Sequence, residues 1–363
     1  MISAVGHSAD DVYEFEYLND DGLTSLKSHK SSKKTIDYTD DFAASGAYSR
    51  DLPSWAQQSK WSLPDFSADE DVMLDPAAAD IHEYSDVLDW CMDVLDASPN
   101  ARLMMDEAFN KGWKISLEDL QGGEYCLDVE EKTLLLDNNA LEPSALTRSR
   151  YFRNVTIVTL VKALRDIWQE RRHGGFDEYF RPEHIMTLER VRAADCDVMT
   201  LLVGWELRSA KHCDIWRHLI GSENGDMAML YSGHLERDPT SGFNGYALAA
   251  TFRQWFRDKA RVNSCDHDTL EYLDEVLSVG DAADPFGKKK PSRMNIEVLS
   301  CLPDKTAYLQ GVGGEILSDP LYCGMDDPIN QTHLFHILYD LEVVLVNNVP
   351  FRDAELARKI FPI

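Results

Sequence analysis

A chain of 363 residues with 63 acidic against 36 basic side chains carries a formal charge of −27, which repels phosphate backbones and anionic membrane surfaces, so neither nucleic acid nor a membrane is an expected partner. Its apolar fraction of 44% supports a sizeable core, and its length accommodates two modest domains or one domain with a long tail. Seven scattered cysteines (Cys91, Cys126, Cys196, Cys213, Cys265, Cys301, Cys323), an odd number without a C-x-x-C pair, argue against a disulfide framework and against a cysteine-built zinc site.

Residues 1–78 are rich in Ser, Asp and Lys with dispersed apolar residues, and read as a flexible acidic arm that only Tyr13, Phe15, Tyr17, Trp55, Trp61 and Phe66 would anchor. The chain's start shows no basic leader followed by an apolar run, and no stretch has the length to cross a bilayer, so the expected location is cytoplasmic. The short basic clusters Lys27 to Lys34 and Lys288 to Lys290 read as solvated loops.

The folded part is expected over 79–280. Ile81, Tyr84, Val87, Leu88, Cys91 and Leu95 have helical spacing, and Ser98-Pro99-Asn100 ends that helix and opens a second, closed by Gly112. Strands are expected over 113–117, 125–129 and 133–136, the last two joined at Glu130-Glu131-Lys132, followed by a loop at Asn138, Asn139 and Pro143. The most secure element is the helix Tyr151 to Arg172. Phe152, Val155, Val158, Val161, Leu164, Ile167 and Trp168 recur along it at steps of three or four, without Pro or Gly.

After the break His173-Gly174-Gly175, Pro182 opens another long helix to about Ala210. A short helical segment lies between loops at Gly221 to Gly225 and Asp238 to Gly245, and two helices follow over 246–261 and 267–278. Residues 281–363 read as a linker and a C-terminal extension packed on the core, with a turn at Gly311 to Gly314 and a helix over 332–346. The terminal run Val349-Pro350-Phe351-Arg352, with Leu356, Ile360 and Phe361, is apolar enough to dock. The fold class is therefore α+β, predominantly helical.

Helix pair, β-hairpin, long helix, break and long helix is the element order of a minimal zincin, the fold of the HExxH metallopeptidases. The stretch Lys162-Ala163-Leu164-Arg165-Asp166-Ile167-Trp168-Gln169 resembles the helix of an uncharacterised bacterial family of metallopeptidase-type domains, which reads approximately H-E-x-R-H-x-W-Q. Arg165, Trp168 and Gln169 match. On the next helix Arg190, Ala194 and Asp195 are similar to an R-x-x-E-A-D signature, with Ala193 in the glutamate's place. The resemblance implies a zincin-like core with a helical C-terminal extension.

It also implies a degenerate site. Two His at i and i+4 share a helix face and bind one Zn²⁺, a third ligand comes from a neighbouring helix, and the intervening Glu serves as base on the metal-bound water. Here Lys162 replaces the first His, and a protonated ammonium has no lone pair to offer. Ala163 replaces the base, Asp166 the second His, and Ala193 the third ligand, leaving Asp195 or Asp197 as the nearest carboxylates. Lys162 and Asp166, spaced i and i+4, are expected to form an ion pair in the metal's stead.

No catalytic residue, metal or other cofactor is then expected, and the leading reading is a catalytically inactive, pseudo-zincin binding or interaction module with a protein or peptide partner. Two alternatives stay open: a metal-dependent hydrolase whose metal site, for zinc, is assembled elsewhere, with Asp166, Asp195, His333 or His336 as candidate ligands, and an assembly protein using its acidic arm. A plain core helix without such ancestry is the bland reading of the central stretch. His333 and His336, with Asp340, share one side of a helix but read as ordinary helix histidines. His212-Cys213 and Cys265-Asp266-His267 place a thiol beside a base, although adjacent residues rarely pair as a dyad. The turn Gly311 to Gly314 lacks the residues of a phosphate loop, and Trp205, Trp216, Trp255 and Phe256 read as core.

Overall fold

The structure is a computed structural model that describes residues 28–30, 81–176, 179–242, 244–279, 285–342, 344–346 and 349–351. The rest of the expected arm over 1–78 and the docking of Leu356, Ile360 and Phe361 lie outside the described residues. The described chain is α+β and predominantly helical. It runs β1 (Ser28–Lys30), α1 (Tyr84–Leu95), α2 (Pro99–Asn110), β2 (Lys114–Glu118), β3 (Tyr125–Asp128), β4 (Thr133–Asp137), α3 (Pro143–Arg148), α4 (Arg150–His173) and α5 (Pro182–Ser209). Then follow α6 (Cys213–Gly221), α7 (Gly225–Arg237), α8 (Tyr246–Trp255), α9 (Lys259–Val279), α10 (Arg293–Leu299), α11 (Gly313–Ile316), α12 (Pro320–Cys323), α13 (Pro328–Glu342), β5 (Val344–Val346) and β6 (Val349–Phe351).

Local chemistry accounts for the element ends. Ser98 caps α2 by accepting from the Ala101 amide, with Pro99 in the first turn. Ser149 Oγ accepts from the Phe152 amide at the start of α4, and Gly174, at φ 60°, terminates that helix. Pro182 opens α5, where its missing N–H costs no helical bond.

The sheet has the order β1-β3-β4-β2. The β3–β4 hairpin is antiparallel, with Leu127 opposite Leu134, and β2 lies parallel to β4, with Leu117 opposite Leu136. Alternation sends Leu127, Leu134 and Leu136 inward onto α4, where Ile157, Leu160, Val161 and Leu164 are buried. Helix α5 continues this core with Leu188, Val191, Val198 and Leu201.

Three expectations change. The helix expected over 246–261 breaks after Trp255, because the Asp258 carboxylate accepts from the Ala260 amide and starts α9 there. The last helix runs from Pro328 to Glu342, and its expected end, Val344–Val346, pairs as a strand with Val349–Phe351, as a β-branched run favours. Finally, α4 is not a one-faced helix: Val155 and Val158 are only half-buried, whereas Arg153, Asn154, Thr156, Thr159, Arg165, Asp166 and Gln169 are buried. Its polar side is covered by other elements: Arg153 donates to the Thr147 carbonyl, Asn154 to the Asp214 carbonyl, and the stretch from Lys162 on faces α5.

Candidate functional site

From Lys162 on, that polar side meets α5. Pairings of 162 with 197, 165 with 195, and 166 with 192 run in opposite order along the two helices, so α4 and α5 are antiparallel with a seam of charge between them. At one end Lys162 Nζ lies 3.1 Å from Asp197 Oδ1. Asn224 Nδ2 donates to the same oxygen at 3.2 Å, and Trp255 Nε1 donates to Oδ2 at 2.9 Å. Asp197 thus ties α4, α5, the start of α7 and α8 together. Burial works against the lysine's charge, but Asp197, Glu124 and Glu223 outweigh it and hold the ammonium well above the ordinary lysine range.

In the middle, Arg165 is fully buried and its Nε lies 2.6 Å from Asp195 Oδ2. Its Nη2 donates to the carbonyls of Leu299 at 3.2 Å and Cys301 at 3.0 Å. Gln169 Nε2 also donates to Asp195 Oδ2, while the Tyr308 hydroxyl donates to Oδ1 at 2.6 Å. Burial, with Asp195 alongside, pushes the Tyr308 phenol well up, so it remains a donor. Gly245, at φ 77°, allows this placement, since a Cβ there would lie 2.8 Å from Tyr308 Cβ.

Asp166 sits one turn on from Lys162. Its Oδ1 accepts from Arg192 Nε at 2.8 Å, and its Oδ2 accepts from the Tyr125 hydroxyl of β3 at 3.2 Å. Arg192 Nη2 also reaches Glu170 Oε2 at 2.8 Å. A fourth buried cation, Arg190, grips Asp266 of α9 with both Nε and Nη2 and donates through Nη1 to the carbonyls of Tyr322 and Gly324. Arg165 and Arg190 thereby fasten the segment after α9 onto the two central helices.

The expected Lys162–Asp166 pair is therefore not formed. Each residue turns instead to a partner on α5, where Asp197 and Arg192 offer additional hydrogen bonds that an i,i+4 neighbour on one helix lacks. The resemblance implies a metal here, so the donors matter. Lys162 donates rather than accepts, both Asp166 oxygens are taken by Arg192 and Tyr125, and both Asp195 oxygens by Arg165, Gln169 and Tyr308. Ala163 and Ala193 offer only methyl groups. These residues do not fit a zinc ion. Among the described residues no group of three or more His, Cys, Asp or Glu is arranged to hold a metal.

The remaining candidates lie elsewhere. His333, on α13, bonds Asp274 of α9, while His336 is exposed and stands edge-on to Phe335. Asp266 and His267 are engaged by Arg190 and Glu271, so neither serves Cys265, whose thiol burial pushes well up. The Trp205–Trp216 and Trp255–Phe256 pairs pack edge-to-face in the core. A cavity of about 270 Å³ between Arg181, Phe286, Lys288 and Leu338 shares no lining residue with the seam.

Sequence reasoning missed Tyr125, Glu170, Arg192, Asn224, Trp255 and Tyr308. One signal was present: Lys162, Arg165, Asp166 and Glu170 recur at helical spacing, and Arg190, Arg192, Asp195 and Asp197 fall within eight residues of the other long helix. Opposite charges on two core helices foretell pairing, though not the register.

A helical α+β body organised around this helix pair, carrying on both helices the stretches that resemble a metallopeptidase motif, fits a peptidase-like domain. The chain belongs to the family described as "Putative metallopeptidase family (DUF6782)", whose profile matches residues 69–309. No curated protein and no solved structure matches it.

Proposed function

We propose that this member of a metallopeptidase family is catalytically inactive and works as a binding or interaction module. The observation that carries the reading is the Lys162 ammonium, committed to Asp197 at 3.1 Å, at the position where the resemblance implies the first metal ligand. Supporting it, Ala163 stands where the resemblance implies the base, and Asp166 spends both oxygens on protein donors. A charge of −27 favours a protein or peptide partner with basic groups over nucleic acid or an anionic membrane. All seven cysteines are free thiols, as suits a reducing compartment such as the cytoplasm. Among the described residues no helix is long and apolar enough to cross a membrane.

The test is metal content of the purified chain by elemental mass spectrometry, alongside hydrolysis of a mixed peptide library. Less than about a tenth of an equivalent of any transition metal, with no cleavage, is expected, since a protein-bound structural zinc survives purification. Near one equivalent, lost in Asp166→Ala, together with metal-dependent cleavage, would overturn the proposal in favour of a rebuilt metallohydrolase.

A further inference from the structure

Strand β3 is the outer strand of the β2–β4–β3 group, and its free edge is covered by three residues from far upstream. Ser28, His29 and Lys30 pair antiparallel with Asp128, Leu127 and Cys126. An uncovered edge presents unpaired N–H and C=O groups and accepts any extended segment of suitable chemistry. The sequence on each side specifies that chemistry. Residues 124–131, Glu-Tyr-Cys-Leu-Asp-Val-Glu-Glu, contain four acidic residues and no basic one, while Lys27 to Lys34 contains four lysines and no acidic residue in an otherwise strongly acidic chain.

We propose that the β3 edge is a docking site for an extended, lysine-rich peptide segment, held in this chain by its own residues 28–30 and open to the same kind of segment from a protein partner. This rests on the binding-module reading and names its partner class. The cover is short, so few ladder bonds hold it, and its advantage over an outside peptide is that it belongs to the same chain. The edge also connects with the seam: Tyr125, at the end of β3, donates to Asp166, and Glu124 beside it lies in the field of Lys162. Lys132, in the turn after β3, donates to the Lys111 carbonyl.

The experiment uses the full chain, a fluorescein-labelled peptide of residues 24–36 and two variants in the arm. Proline removes the backbone donor. Because alternate residues direct their N–H groups to opposite sides, Ser28→Pro with Lys30→Pro tests one set and His29→Pro the other. In at least one variant, amides of residues 126–128 should exchange faster than in the parent and regain protection with added peptide. That variant should bind the peptide at least about tenfold more tightly than the parent. Binding should weaken with salt and fail for a peptide with its lysines changed to glutamate. Unchanged protection in both variants, equal affinity for parent and variants, or equal binding of the glutamate peptide would overturn the proposal. Protection that falls on dilution of the parent would also overturn it, by showing that a second copy supplies the strand. Neither metal content nor cleavage enters this readout, so failure of the inactive-enzyme reading is recognised separately.

Discussion

Asp197 accepts three hydrogen-bonding groups from three different elements, and the one that carries charge is Lys162 Nζ, 3.1 Å away. The two side chains are 13% and 12% exposed, so the pair is largely removed from water. Replacing Lys162 by Met keeps most of the volume but strands the carboxylate. The expected loss is about 3 kcal/mol, at the lower end for a broken buried pair because some solvent reaches it. Urea denaturation checks this, and adding Asp197→Asn should recover part of the loss. A loss under about 1 kcal/mol would mean that water screens the pair as at a surface.

Arg165 and Asp195 are buried completely, and each serves several partners. Arg165→Met leaves Asp195, Gln169 and Tyr308 facing an uncompensated charge and releases the carbonyls of Leu299 and Cys301. It should cost about 3–5 kcal/mol. The Arg165→Met, Asp195→Leu double variant should cost less than the sum of the singles, because neither charge is then left alone. Thermal denaturation of the three proteins measures this, and strict additivity would show that the two residues act independently.

His173 closes α4 beside Arg192, Arg165 and Arg172, and burial first, then those guanidinium groups, push its imidazole down from 6.5 to about 3. Below 6.5 the unfolded chain takes up a proton that the folded chain refuses. The stability from this group is therefore complete above about pH 6.5 and is lost as pH falls toward 3, with a slope of at most about 1.4 kcal/mol per pH unit. His184 and His218 shift in the same direction. Comparing urea midpoints of the parent and His173→Gln between pH 7 and 4.5 isolates its share. Parallel curves would show that His173 titrates normally.

The four degenerate positions also predict a gain. Lys162→His, Ala163→Glu, Asp166→His and Ala193→Glu together restore every motif ligand and the base, and should bring zinc uptake to about one equivalent, the stoichiometry of such a site. Asp166→His alone should take up none, because Lys162 and Ala193 still supply no ligand. Isothermal titration with zinc distinguishes the two. Failure of the fourfold variant would show that the backbone of α4 and α5 is no longer spaced for a metal.

The helices are legible in the sequence wherever an apolar period is bounded by Pro, Ser or Gly, as in α2, α4 and α5, and the β3–β4 hairpin is legible from its alternation. The break at Asp258 is not, because Phe256 prolongs the apolar pattern and one capping carboxylate overrides it. That Lys162 and Ala163 depart from the motif the resemblance implies is read from those residues directly. What replaces it is hidden, since an i,i+4 rule sees only one helix, whereas Lys162 and Asp166 are satisfied across two. Tyr308 joins Asp195 over a separation of 113 residues, a distance at which no local pattern operates.

The positive charge that balances Asp197 is part of the polypeptide. Its presence is fixed by a covalent backbone and not by the concentration of a free ion, so chelation cannot remove it. A ligand-bound cation would be exchangeable and would report on its surroundings. An ammonium carried on α4 arrives when that helix packs, and leaves only when it unfolds.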